Sequence, residues 1–139
     1  MSKNVIVVAG PNGSGKTTFA REYLRDSEVS EYISADAIAE RTVTTVFIFL
    51  KSAETCVARV RNRVSAGGHH VPTEDVVRRF YRSKHNFWHI YRHLVDRWSL
   101  FYNSVEHFQE VASGEGRSVT VTNETFFELF MRDSHNGGA

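Results

Sequence analysis

The stretch Gly10-Pro11-Asn12-Gly13-Ser14-Gly15-Lys16-Thr17 has the residue types, at the spacing G-x-x-x-x-G-K-[ST], that hold the phosphates of a nucleotide. A triphosphate needs several backbone N–H groups turned toward it at close range, and glycine permits both the approach and the turns involved. Lys16 is placed to reach the β- and γ-phosphates, and Thr17 to put its hydroxyl on Mg²⁺. Thr18 continues into the first turn of a helix, whose orphan N–H groups and positive dipole end favour an anion. Gly10, Pro11, Asn12, Gly13, Ser14, Gly15, Lys16, Thr17 and Thr18 are thus the expected binding set for ATP and Mg²⁺, although the motif does not separate ATP from GTP. Phosphoryl transfer further requires a group that accepts or positions the hydroxyl proton, and cations for the charge on the transferred group. Asp36 suits the first role. Arg78, Arg79 or Arg82, carried by a segment that pivots at Gly67-Gly68, suit the second as a lid. A structural alternative stands beside each: Asp36 as the cap of a short helix, and the arginines as a solvated helix face.

These groups act together only if the chain brings them together. Val5-Ile6-Val7-Val8-Ala9 is the unbroken apolar run of a strand buried on both faces, and Phe19, Ala20, Tyr23 and Leu24 recur at helical spacing. Strand, glycine loop and helix is the context the motif requires. Tyr32-Ile33-Ser34 reads as a short second strand that delivers Asp36 to the carboxyl edge of the sheet, where open α/β sheets bind ligands. Val43 to Leu50 reads as a central buried strand. Only residues 34–45 separate Ile33 from Val46, whereas a parallel crossover usually takes about a dozen residues or more and carries a full helix. The connection is therefore unusually thin, or a crossover unit is absent.

Further along, Ser52 is the expected N-cap of a helix with Ala53, Val57, Val60 and Val64 inward, Arg59, Arg61 and Arg63 in solvent, and Gly67-Gly68 as its stop. Thr73 is the expected cap of a long second helix whose apolar stripe is Phe80, Phe87, Tyr91, Leu94 and Trp98. Its other face carries Arg78, Arg82, His85, His89 and His93, a ridge able to present cations to one ligand. A metal site on the histidines is disfavoured, since no cysteine accompanies them and only Asp96 is near as a carboxylate. A strand at Trp98 to Tyr102, a hairpin of Phe108 to Ala112 and Arg117 to Val121, and an Asn123-capped helix with Phe126, Phe127, Leu129 and Phe130 complete the order. The tail from His135 to Ala139 is expected to fray.

With 139 residues, 41% hydrophobic and 24% charged, the chain has an ordinary globular composition that suffices for one core and one domain, 1–139. A formal net charge of +1 argues against a general nucleic-acid or membrane-surface binder, and no nucleic-acid motif accompanies the arginines. No run approaches the roughly 18 apolar residues of a membrane span. Met1-Ser2-Lys3 leads straight into a core strand without a signal peptide's apolar stretch, so a cytoplasmic protein is expected. The single Cys56, at an apolar helical position, fits a small buried hydrophobe in a reducing compartment.

Ala9 to Thr18, then Ser34-Ala35-Asp36-Ala37-Ile38-Ala39, then Arg59 to Pro72 ending Gly67-Gly68-His69-His70-Val71-Pro72, resemble the zeta toxin-like family of P-loop kinases. Arg78-Arg79-Phe80-Tyr81-Arg82-Ser83 and Asn103-Ser104 extend the resemblance over nearly the whole chain. It implies an α/β fold: a P-loop NTPase-type three-layer sandwich with a mainly parallel sheet, one crossover unit missing, and a C-terminal β-hairpin and helix. It also implies an ATP-dependent kinase acting on a hydroxyl of a small molecule such as UDP-N-acetylglucosamine, and an antitoxin protein as a possible partner. Lys16 would hold the phosphates, Asp36 would be the base, and Arg78, Arg79 or Arg82 the lid cations. The chain departs from the family between Glu40 and Thr42, where members carry a helix and a strand with a Glu-Thr-Thr signature that serves acceptor and magnesium. Tyr102 also stands where an acidic residue is expected. The alternative reading is a nucleotide-binding module that acts through protein association.

Overall fold

In the computed structural model, which describes residues 4–23, 42–104 and 106–135, the two apolar runs of the first half lie side by side. Strand β1 (Asn4–Ala9) pairs in parallel with β2 (Thr42–Phe49), Asn4 opposite Thr42 and Ala9 opposite Phe47. β2 pairs in parallel with β3 (Arg97–Asn103), β3 antiparallel with β4 (Phe108–Glu115), and β4 antiparallel with β5 (Ser118–Val121). The described sheet therefore runs β1-β2-β3-β4-β5, parallel over its first three strands and antiparallel through the expected hairpin. The expected strand at Tyr32-Ile33-Ser34, the thin connection around it, Asp36 and the last four residues lie outside the described residues.

Alternation along β2 builds the layers. Val46 and Ile48 turn to one face, where Phe19 of α1 (Lys16–Tyr23) joins them with Ile6, Val8, Phe101 and Phe108. Phe47 and Phe49 turn to the other, against Phe87 of α3 (Thr73–His89), Phe130 of α4 (Glu124–Ser134), Trp98 and Leu100. Leu50, Cys56 and Val60 fasten α2 (Ala53–Ser65) to Val76 and Phe80 of α3. Ser52 and Asn123 cap as their types predict, their side chains accepting the Thr55 and Phe126 N–H groups. At α3 the cap differs. Pro72 occupies the N-cap with no side-chain hydrogen bond, and Thr73 is already helical.

The apolar stripe of α3 is shorter than its spacing implies. The helix ends at His89, Tyr91–His93 forms a 3₁₀ turn, and Trp98 belongs to β3. Tyr91 and Leu94, expected in the core, are 50% and 75% exposed. Arg92 closes the helix: its Nε donates to the Trp88 carbonyl at 2.6 Å while the guanidinium lies 4.0 Å over the Trp88 ring. Farther on, a register shift between Leu100 and Phe101 leaves Val111 as an extra residue in β4. Its carbonyl accepts the Thr122 and Asn123 N–H groups at 2.9 and 3.1 Å, so this bulge anchors the entry to α4.

Cys56 is fully buried, and burial pushes its thiol up to about 11 from the usual 9.0, against the opposing pull of Lys84 and Arg59. Only the thiolate attacks disulfide reagents. At pH 8 the native thiol is therefore expected to react at least about a hundredfold more slowly than in the urea-unfolded chain, since the core must also open to admit the reagent, a ratio readable from the release of thionitrobenzoate. Equal rates would place Cys56 outside the core. Among the described residues, no helix is long and apolar enough to cross a membrane.

Candidate nucleotide-phosphate site

The glycine loop leaves β1 at the carboxyl edge of the sheet and is moulded by its neighbours. Gly10 has φ +153°, and a Cβ there would run into the Ile48 carbonyl and stand 2.6 Å from Ser14 Oγ. The Ser14 N–H closes a turn on the Pro11 carbonyl at 3.1 Å. Gly15, at φ +98°, is pressed against β3 and β4: a Cβ would stand 2.5 Å from Asn103 Nδ2 and 3.4 Å from the Phe108 ring. The Gly15 carbonyl then accepts the Phe19 N–H at 2.8 Å and starts α1. Helix geometry leaves the N–H groups of Lys16, Thr17 and Thr18 without helical partners. They border a concavity of about 90 Å³ lined by Asn12, Gly13, Gly15, Lys16, Thr17, Thr18 and Arg63.

Two features fit this concavity to a phosphate group. The helix start turns the N–H groups of Lys16, Thr17 and Thr18, free of helical partners, to the side where Arg63 adds a cation. Ser14, completely buried on the Gly10 side of the loop with no hydrogen-bond partner for its Oγ among the described residues, does not line the concavity. The loop also keeps its glycines where side chains would collide with the sheet and α2 and lift it from its seat. Lys16 Nζ bonds the Gly10 and Pro11 carbonyls at 2.8 and 3.1 Å, within reach of the same space. Burial, and after it the charge of Arg63, hold the Lys16 ammonium below its usual range. Thr17, exposed at the first turn of α1, is the one metal-ligand candidate the loop supplies.

The arginines divide between the loop and solvent. Arg79 reaches the loop, its Nη1 donating to Asn12 Oδ1 at 3.2 Å. Arg78 instead pairs with Asp75 at 2.9 Å along its own helix, and Arg82 is exposed. Arg59 and Arg63, expected in solvent, are both turned to the loop: Arg59 Nη1 donates to the Gly13 carbonyl at 3.3 Å, and Arg63 lines the concavity. Their four-residue separation puts them on one helix face with Cys56. That signal was available in the sequence; Arg61, between them, points away into solvent. Asn103, which donates to the Ser14 carbonyl at 2.9 Å, stood in the sequence only as part of the Asn103-Ser104 resemblance, with no role attached to it.

The histidine ridge is broken by the end of α3. His85 and His89 have ring centroids 4.5 Å apart, but His85 Nδ1 lies 3.0 Å from the Ser134 carbonyl and ties α3 to α4, and His93 sits on the 3₁₀ turn. Among the described residues no three histidine, cysteine, aspartate or glutamate side chains are grouped to hold a metal ion. Asp36, the candidate base, lies outside the described residues.

A broader hollow adjoins the cradle. It holds about 570 Å³, begins at Gly10 and Lys16, and runs along Val7, Val8, Phe47, Phe87, Tyr91, Leu94 and Val95. Its lining is almost wholly apolar.

No family model matches the chain, and no curated protein matches it. Solved structures do. A chain from the crystal structure of the AvrRxo1-ORF1:AvrRxo1-ORF2 complex with sulphate ions aligns with a TM-score of 0.65 at 14% identity, covering 93% of this chain and 63% of that one. The corresponding structure with ATP gives 0.66 at 14% identity, again over 93% and 63%. The chain thus spans about 63% of the length of the chains it matches. At this identity the likeness carries the fold alone: an α/β fold with a mainly parallel sheet and helices on both faces.

Proposed function

We propose that the chain is an ATP-binding phosphotransferase of zeta toxin type, which moves a γ-phosphoryl group to a hydroxyl of a small molecule. The observation that carries this reading is the cradle itself: a concavity at a helix start bordered by the free N–H groups of Lys16, Thr17 and Thr18, with Lys16 and Arg63 beside it and glycines where a side chain would collide. That a complex containing a neighbour of the same fold has been solved with ATP adds support. In this reading Lys16 and the N–H groups of Gly15, Lys16, Thr17 and Thr18 hold phosphate oxygens, and Thr17 contributes its hydroxyl to Mg²⁺. Magnesium, when bound, would neutralise charge between the β- and γ-phosphates. Arg63 and Arg79 supply the cations of the lid, ahead of Arg78 and Arg82. Asp36 is assigned the proton of the acceptor hydroxyl on the zeta toxin-like resemblance, as are the UDP-amino sugar class of acceptor, an antitoxin partner and a cytoplasmic setting.

ATP consumption with Mg²⁺, measured with and without UDP-N-acetylglucosamine, tests the reading. Acceptor-dependent turnover is expected. Lys16→Ala should reduce it by about a hundredfold or more, and Asp36→Ala should do the same while ATP affinity stays within about twofold. Arg63→Ala should cost at least about tenfold and Arg82→Ala little. An unchanged rate in Lys16→Ala would end the proposal.

A second reading rests on the apolar hollow. A sugar nucleotide would find few polar partners along Val7, Phe47, Phe87 and Leu94, whereas an apolar protein segment would cover them well. The matched neighbours come from complexes of two proteins. ATP binding that depends on Lys16, with no acceptor raising turnover, would favour a nucleotide-binding module that works through association.

A further inference from the structure

The phosphate loop is supported from beneath by a side chain to which neither the motif nor the kinase chemistry gives a part. Asn103 is the last residue of β3, on the same face as Phe101 and directed at α1. Its Nδ2 donates to the Ser14 carbonyl at 2.9 Å. The backbone that carries it is fixed on both sides: Asn103 pairs with Phe108 in the ladder, and the turn that follows is closed by the Ser104 N–H on the His107 carbonyl at 3.0 Å and by the His107 N–H on Ser104 Oγ at 3.2 Å.

The carbonyl it holds belongs to the peptide joining Ser14 to Gly15. In a planar trans peptide the C=O and N–H point in opposite directions. Fixing the Ser14 carbonyl downward on Asn103 therefore turns the Gly15 N–H the other way, into the concavity that Gly15 helps to line. Among the described residues that N–H has no protein acceptor. Gly15 itself is shaped by this contact, since a Cβ would stand 2.5 Å from Asn103 Nδ2.

We infer that Asn103 is a positioning residue of the phosphate cradle, which aims the Gly15 N–H at a phosphate oxygen by holding the Ser14 carbonyl. The inference rests on reading the loop as a nucleotide-phosphate site. Only a donor of this length serves. A carboxylate has the shape without the proton, would repel the Ser14 carbonyl, and would place a negative charge beside the phosphates. Protonated, the same carboxyl regains an O–H that can donate.

Calorimetric titration with ATP and Mg²⁺ separates these states. Asn103→Ala is expected to weaken ATP binding about three- to tenfold, the range for one lost positioned hydrogen bond. Asn103→Asp should weaken it more than about tenfold at pH 8. Relative to the native chain at the same pH, it should recover at least about threefold by pH 5, as the carboxyl protonates. A merely structural Asn103 predicts no such recovery, so an Asn103→Asp deficit that is constant across pH overturns the proposal. So does an Asn103→Ala chain that binds ATP within about twofold of native while Lys16→Ala has lost it. If Lys16→Ala binds ATP normally, the failure is that of the phosphate-site reading, and the role of Asn103 falls with it.

Discussion

Asp133→Ala is expected to lower the unfolding free energy by about 3–5 kcal/mol, with the midpoint of thermal unfolding falling by roughly 10–20 °C. The cause is Lys84. Its side chain is wholly buried in α3, with Nζ 2.9 Å from Asp133 Oδ2 of α4. The same Nζ lies 4.9, 4.2 and 5.7 Å from the ring centroids of Phe49, Phe80 and Phe130. Burial holds the Lys84 ammonium below its usual range, while the hydrogen bond and charge of Asp133 work the other way. Without Asp133 the ring faces alone attract the charge, and they cannot replace an anion. Lys84→Met removes the charge with the partner and should cost less than about 1.5 kcal/mol, since an apolar chain of similar length fits the same rings. The double variant should regain most of what Asp133→Ala loses.

The pH dependence of that stability has a definite sign. Because the folded-state pKa of Lys84 lies below the unfolded value, the unfolded chain binds more protons between the two, and stability rises with pH across that window. In Asp133→Ala the folded pKa drops further and the rise begins at lower pH. Urea titrations from neutral to alkaline pH measure both effects. An Asp133→Ala chain as stable as native would show that the pair contributes nothing.

Gly10→Ala should abolish measurable nucleotide binding, with a loss of at least about a hundredfold in ATP affinity and about 2–3 kcal/mol in stability. Its new methyl would have to displace the Ile48 carbonyl, which belongs to the neighbouring strand, and press on Ser14 Oγ at 2.6 Å. The loop must therefore lift off the sheet or turn its N–H groups aside. Gly67→Ala is the matched control. It too has a positive φ, +95°, but no atom lies within 4 Å of the added methyl, so its cost should stay near 1 kcal/mol with ATP affinity unchanged. Equal losses in both variants would mean that backbone strain, and not the close approach at Gly10, governs the loop.

Much of this arrangement is legible in the sequence because it depends on neighbours along the chain. The strand before the glycine loop, the helix after it, the Ser52 and Asn123 caps and the closing hairpin follow from local rules of burial, capping and turn geometry. The misreadings arise where the third dimension decides. Tyr91 and Leu94 keep helical spacing from Phe87, but Arg92 takes the Trp88 carbonyl and ends the helix, and periodicity has no way of recording that competition. Arg59 and Arg63 look like a solvated face until the packing of α2 on α3 turns that face to Gly13. Among the lid candidates, the three-residue spacing of Asp75 and Arg78 was a readable sign that Arg78 is paired along its own helix, whereas the reach of Arg79 to Asn12 depends on how α3 packs and was not. Asn103 was singled out by the resemblance, but its role was not readable for a plainer reason: its partner is a carbonyl from the far end of the chain.

The sequential order of the strands bears on how the chain folds. Every ladder of the described sheet joins strands that are neighbours in order along the chain, so none has to wait for a later strand to be threaded between two earlier ones. The hairpin of β4 and β5 is the most local pairing, whereas the parallel ladders join distant residues, Asn4 with Thr42 and Thr44 with Arg97, and are the slower ones to close. Growth from that hairpin through β3 and β2 would reach β1 last. The strand that carries the phosphate loop would then be the final one to dock, and nucleotide would act on folding only at its closing step.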